Sequence, residues 1–389
     1  MNRKKSGREI SRRDFLRIFP GLAARRAEEI KDTIGEATGR RKKKAPKKPK
    51  PPPRDVEPRL PAFGETIDGI PNHHPWIATA HAIAAWMRRP RSYAWMLGAT
   101  GEAFITAYSR EDPAAALRHT PGNSFLASLA VTGIVARAAH GGPFAPAIGG
   151  VDVALGRDLV PVIATRDGPA LIRDVDMDAE LANWIRPGRE RADVAFVDLE
   201  EHWGDGWWPG GGGAFLRVTL ELAEDRDAAR VTTPAIEAAA MLLSQAATSP
   251  LAMGSAAWEA FAEDLREGRL EGNAAETIVG ELLPKLAVAR VAAGTFLEEM
   301  AQAVPDTSRE AILDAARKFR EIHAPAGGGE VFGTGLLPEV AECVMEDQLV
   351  EPVKLEDPAY RERAADLLLE VRDRELEAAD LIREAFHSS

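Results

Sequence analysis

The sequence predicts an α+β protein in which a helix-plus-antiparallel-sheet core is followed by a helical bundle. Three observations carry this. Ala-rich apolar stretches at helical spacing come first. From about residue 148, short apolar runs punctuated by Gly, Pro and Asp take on the spacing of strands with short connections. From about residue 232 the helical period returns and holds to the end. Helices, then strands, then helices argue for segregated layers rather than alternating strand–helix units. At 389 residues and 45% hydrophobic content, the chain is long enough for one large core or two modest ones. The division read here is a basic, Pro-rich leader and linker over 1–60, an α+β core over 61–230 and a helical domain over 231–389.

Charge separates along the first of these boundaries. Residues 1–60 hold 20 Lys+Arg against 8 Asp+Glu, a balance of +12, and the remainder carries −23 within the overall −11. The acidic body has no basis for specific nucleic-acid binding, whereas the leader suits an acidic partner or an anionic membrane surface. Within the leader, Ser11-Arg12-Arg13-Asp14-Phe15-Leu16-Arg17 is close to the twin-arginine export pattern Ser-Arg-Arg-x-Phe-Leu-Lys. The apolar run that should follow is short, Ile18–Ala24, interrupted by Pro20-Gly21 and stopped by Arg25 and Arg26. The same residues read equally as a capped amphipathic helix, with Ser11 at its start and Phe15, Phe19, Leu22, Ile30 and Ile34 along its apolar stripe. Arg40–Arg54, RRKKKAPKKPKPPPR, is a spacer held extended by proline and by self-repulsion. The single cysteine, Cys343, excludes a disulfide framework and any all-Cys metal site. A cytoplasmic location is the expectation, with twin-arginine export or peripheral membrane association as alternatives. The apolar stretches, at 7–10 residues, fall well short of a bilayer span.

Trp76–Met87, opened by Pro75, is apolar nearly all round and is expected as a buried helix. In Tyr93–Tyr108, YAWMLGATGEAFITAY, Gly98 and Gly101 bracket a tight backbone passage and Phe104 belongs to the core. Asp112-Pro113 caps another short helix, and Asn123–Ala139 reads as a further buried one. Ile148–Leu155, Leu159–Thr165, Ala170–Val175, Val194–Leu199 and Phe215–Leu222 read as strands. Thr233-Pro234 opens a helix through Ala246, Ser255–Arg266 forms another, and Ala274–Gln302 a long one interrupted near Pro284. Thr307 and Glu310 make a capping box ahead of Ile312, Leu313, Ala316 and Phe319. Asp357-Pro358 starts the last helix, with Tyr360, Ala364, Leu367, Val371, Ala378, Ile382 and Phe386 on one face.

The block Tyr93–Tyr108 resembles the segment just after the first core helix in bacterial papain-like proteins related to the butirosin-biosynthesis H acyltransferase. The order of AIEAAAMLLSQA, GSAAWEAFAEDL, LAVARVAAGTFLEEM and ILDAARKFREI also resembles the helical region after the papain-like core in that family, so the likeness covers roughly residues 64–386. It implies a papain-like fold. In the family it also implies a nucleophilic Cys at the N-terminus of the first core helix and a His on a sheet strand. That helix start falls near Trp76, in HHPWIATAH, where the nearest hydroxyl is Thr79, a far weaker acid than a thiol. The runs Ile148–Thr165 and Ala170–Val175 carry no His.

The expected function is therefore that of a pseudoenzyme, a non-catalytic papain-like protein that binds a small molecule or peptide in the cleft between core and helical domain. An acyl- or aminoacyl-transferase or hydrolase with a non-cysteine mechanism is the alternative, for which Thr79, His74 and His140 are the weak catalytic candidates. A leader-addressed exported or membrane-associated interaction protein is the third reading. Trp76, Trp95, Gly98, Gly101, Glu102, Trp203, Trp207 and Trp208 are the candidate lining of the cleft. For the Gly-rich Glu200–Gly213 (EEHWGDGWWPGGGG), the competing reading packs the tryptophans over the protein's own core. No metal is expected, since His73, His74 and His81 lack the i, i+4 spacing of a helical ligand pair. No cofactor is expected either. No Gly-Lys-Ser/Thr follows the first glycine run, and Gly327–Gly335 follows a helix rather than a strand.

Overall fold

The computed structural model describes residues 74–387 apart from 113–115, 118–123, 140–142, 167, 187–191, 205, 207–214, 216, 223–228, 247–250, 271, 325–333 and 345–352. The motif at Ser11–Arg17, the Lys/Pro spacer, His73, His140, Trp207 and Trp208 lie outside the described residues. All described residues belong to one unit, Pro53–Ser389. Its architecture is α+β, an antiparallel sheet with flanking helices followed by a helical region.

Helix α1 (Pro75–Trp86) starts on proline, whose missing N–H is no loss at the first helical position, and is buried along most of its length. Helix α2 (Tyr93–Ala99) is capped by Ser92, whose Oγ accepts the Trp95 N–H at 2.9 Å. A 3-10 turn, Glu102–Phe104, leads into the short strand β1 (Ala107–Tyr108).

The next two elements differ from expectation. Asn123–Ala139 is not one helix but α3 (Ser124–Val131) followed by strand β2 (Ile134–Ala139). Thr132 Oγ1 donates to Leu129 O at 2.8 Å and Gly133 takes φ +78°, a conformation that ends the helix, after which β-branched Ile134 and Val135 continue extended. Ile148–Leu155 is not a strand but the second half of α4 (Phe144–Leu155). Phe144, Ala147, Ile148, Val151, Ala154 and Leu155 are buried at helical spacing, a period the shorter window conceals.

Strands β3 (Val160–Thr165), β4 (Gly168–Asp176), β5 (Leu181–Ile185) and β6 (Ala192–Ala195) then run in sequence order. Helix α5 (Phe196–Gly204) replaces most of the expected strand Val194–Leu199, and β7 (Arg217–Leu222) completes the sheet. Its order is β2-β7-β3-β4-β5-β6, with every neighbouring pair antiparallel. β3 and β4 bury nearly every residue, so both faces of the central sheet are covered. β5 is an element the sequence reading lacks. It is entered through a turn in which Asp176 Oδ1 accepts the N–H groups of Asp178 and Ala179.

The helical region comprises α6 (Ala229–Leu243), the short strand β8 (Ala252–Met253), α7 (Ser255–Arg266), α8 (Gly272–Thr277), α9 (Leu283–Ala301), α10 (Asp306–Ile322), α11 (Leu336–Val344) and α12 (Pro358–His387). α6 begins before Thr233 and holds Pro234 inside it. A π-helical turn, Ile278–Leu282, precedes Pro284 and absorbs the N–H that proline lacks and the clash its ring would make one turn back. The Thr307–Glu310 capping box is not formed. α10 starts two residues earlier, behind Pro305, without a side-chain cap. β8 pairs antiparallel with β1, tying the helical region to the segment after α2. The hydrophobic core is continuous across residue 230, with Val162, Ile172, Ile83, Phe296 and Ile382 in a single cluster. Among the described residues no helix is long and apolar enough to cross a membrane.

Candidate functional site

Two glycines and one arginine bring three titratable side chains together. Gly98 lets α2 lie against α9 so closely that an added Cβ would sit 2.0 Å from Phe296 Cγ. Gly101 takes φ +82°, turning the chain so that Glu102 opens the 3-10 turn facing inward. Arg290 of α9 then clamps the four residues after Glu102. Its Nη1 donates to Ala103 O at 2.9 Å and Ile105 O at 3.2 Å, and its Nη2 donates to Thr106 Oγ1. The guanidinium is fully buried and paired through Nε with Glu375 Oε1 at 2.6 Å, while Glu375 Oε2 accepts the Trp258 indole N–H at 2.8 Å. This is a saturated ion pair, which breaks at high cost and holds the segment rigid.

Within that frame His74, immediately before α1, places Nδ1 3.4 Å from Glu102 Oε2 and Nε2 3.3 Å from the backbone O of Lys285. Lys285, in the first turn of α9, donates from Nζ to Leu117 O at 2.5 Å. All three side chains are buried. Burial lowers the His74 imidazole below its ordinary value, with the Glu102 carboxylate opposing, and burial lowers the Lys285 ammonium against the same opposition. Nearby, burial raises the Tyr93 phenol, and the charge of Glu102 raises it further.

The hydrogen bonds constrain where protons sit. A carbonyl oxygen only accepts, so Nε2 of His74 must carry a proton to bond Lys285 O. For Nδ1 to bond Glu102 as well, a second proton must lie on Nδ1 or on the carboxyl oxygen. The His74–Glu102 pair is then neutral overall, either as imidazolium–carboxylate or as imidazole–carboxylic acid. A neutral His74, a Glu102 carboxylate and a Lys285 ammonium sum to the same zero net charge and keep the Nε2–H bond to Lys285 O, so the three groups together can be buried without a net charge.

Between these groups and Ile105, Leu282 and Leu286 lies a small, partly open cavity. It has room for about one water molecule. Its lining draws on the segment after α2 and on helix α9 and mixes polar with aliphatic side chains.

The other sequence candidates lie elsewhere. Thr79 is fully buried and its hydroxyl donates to Pro75 O at 2.8 Å within α1. Trp76 packs edge-on against Phe125, Trp95 is buried beneath Arg91, and Trp203 is buried against Phe144 and Phe215. These three tryptophans fill the core and do not line the cavity. His81 turns away from His74 to meet the Tyr93 ring edge-on. Among the described residues no group of three His, Cys, Asp or Glu side chains is arranged to hold a metal ion. Cys343 is buried in α11, its thiol pushed up by burial against the pull of Arg363. Sequence reasoning misses Lys285, and it misses the role of Glu102 as the partner of His74. No family model matches the chain, and no curated protein matches it either.

The pKa shifts set the pH response. His74, His81 and His323 are all held below 6.5 by burial, so below that pH the unfolded chain binds more protons than the folded one. Stability is expected to fall as pH drops through this range. The His74→Gln variant should show a shallower acid slope, by at most about 1.4 kcal/mol per pH unit, measured by urea denaturation at stepped pH. Lys285, lowered from 10.5, has the same sign at the alkaline end, where stability rises with pH toward that value.

Proposed function

We propose that the chain is a non-catalytic papain-like protein that binds a small molecule, the polar end of the ligand seated at His74, Glu102 and Lys285. The observation that carries the reading is at the start of α1. The hydroxyl nearest the resembled nucleophile position, Thr79, is buried and spends its proton on Pro75 O, while His74 faces Glu102 and Lys285 instead. A hydroxyl without a base in reach has no route to an alkoxide. The single cysteine, Cys343 in α11, is buried, and burial pushes its thiol away from the reactive thiolate. In support of binding, the cavity is lined by buried polar side chains together with aliphatic ones, and its small volume favours a compact end group.

Two measurements test this. Hydrolysis of p-nitrophenyl acetate is expected to match the buffer rate for both the natural chain and Thr79→Val, with Thr79→Val shifting stability by less than about 1 kcal/mol. Turnover abolished by Thr79→Ala would overturn the non-catalytic reading. Saturation-transfer NMR is expected to detect propionamide but not branched pivalamide. The signal should vanish in Ala289→Met, which fills the cavity wall, while that variant's melting curve stays cooperative. The reading includes a cytoplasmic location. Deleting residues 1–60 should then leave the protein in the same cell fraction, and a change of fraction would favour the leader-addressed alternative.

A further inference from the structure

We propose that Ser92 is a phosphorylation site for a protein kinase that selects basic substrates, and that the phosphate breaks the tie between α2 and α9.

The residues before Ser92 supply the recognition. They read Arg88-Arg89-Pro90-Arg91, and after residue 60 three arginines within four residues occur nowhere else. The run stands out in a body that is otherwise acidic. Kinases of this class choose their substrates by charge pattern, acidic side chains in the groove pairing with guanidinium groups on the amino side of the acceptor hydroxyl.

The conformation suits the same use. Residues 89–92 join α1 to α2 outside regular structure, and Ser92 is exposed with an extended backbone, φ −63° and ψ 150°. Arg88 is exposed as well. Pro90 fixes its own φ and biases Arg89 toward extended conformations. The run is thus shaped in advance for a groove that takes extended peptide, which lowers the cost of ordering it there.

The transfer needs ATP and the kinase as co-reactants. The Ser92 Oγ lone pair attacks the γ-phosphorus, the bond from that phosphorus to the β–γ bridging oxygen breaks, and ADP leaves with the electron pair. The hydroxyl proton passes to the carboxylate base of the kinase. Before the reaction that proton is shared between the two carboxylate oxygens of Glu299 in α9, at 2.8 and 3.0 Å from Oγ. Afterwards the donor is gone, and a phosphate with a charge of about −2 confronts the Glu299 carboxylate. Like charges at this spacing repel. A phosphate oxygen can still accept the Trp95 N–H that Ser92 Oγ accepts now, so the cap of α2 survives and the contact with α9 is what breaks.

The test incubates the full chain with the catalytic subunit of cyclic-AMP-dependent protein kinase and magnesium ATP, followed by phosphopeptide mapping. Ser92 is expected to take up phosphate. The double change Arg88→Gln/Arg89→Gln should slow that uptake at least about tenfold, since it removes two charge-assisted pairings. Ser92→Asn keeps a capping oxygen without a hydroxyl to modify, and should lose the signal while still folding. Ser6, behind Arg3-Lys4-Lys5, reports within the same molecule that the kinase is active. Phosphate on Ser6 with none on Ser92 would overturn the proposal, and so would uptake at Ser92 indifferent to the arginine changes. Amide exchange reads the consequence. Phosphorylation should speed exchange across Tyr93–Ala99 at least about tenfold, and by less in Glu299→Gln. Unchanged exchange would overturn the break between α2 and α9.

Discussion

Replacing Arg290 by methionine is expected to lower the unfolding free energy by about 3–5 kcal/mol, the usual cost of removing one partner from a buried ion pair. The side chain is fully buried, and so is Glu375, which would be left as an unpaired carboxylate. The carbonyls of Ala103 and Ile105 and the hydroxyl of Thr106 would lose their donor at the same time. Glu375→Leu alone should cost a similar amount, since it strands the guanidinium. The double variant Arg290→Met/Glu375→Leu should recover part of the loss, because an apolar pair removes both desolvated charges. Recovery stays incomplete, since the backbone carbonyls remain without partners. Urea denaturation of the three variants checks this. Equal losses for the single and double variants would show that the carbonyls, not the charges, dominate. The clamp also holds the segment carrying Glu102.

How much of the fold and site is legible in the sequence depends on how local each cause is. Pro75 and Asp357-Pro358 mark helix starts through backbone chemistry confined to a few residues, and the helices begin there. Gly98 and Gly101 are readable as a tight passage, but their partners, Phe296 and Leu242, lie far along the chain. α4 passes for a strand because Gly149-Gly150 and the Ile/Val content of its second half imitate a bounded strand, and the deciding buried residues Phe144 and Ala147 lie before that window. β2 passes for a helix because Ala-rich sequence favours helix, and only its pairing with β7 overrides that preference. His74 and Glu102 stand in the sequence as a weak base candidate and a cleft residue, but not as a pair. Lys285 leaves no periodic trace, since a lone lysine in an apolar helix reads as a solvent-facing residue. The one usable signal is compositional, a body with three lysines among many arginines.

Gly98→Ala should cost about 3 kcal/mol, at the upper end of the usual range for overpacking. The ordinary expectation has the opposite sign, because alanine is favoured over glycine inside a helix by about 1 kcal/mol. Space decides here. The new methyl would lie 2.0, 2.4 and 2.5 Å from three atoms of the Phe296 ring, which is itself fully buried and held edge-on against Phe104. A ring wedged in this way cannot swing aside as a flexible chain end does, so α2 and α9 must separate. The discriminating experiment is a double-mutant cycle with Phe296→Ala, which itself costs about 3–5 kcal/mol. In that background the methyl meets open space, and Gly98→Ala should become stabilising by up to about 1 kcal/mol. A loss that persists without the ring would place the constraint in the backbone of α2 rather than in its contact with α9.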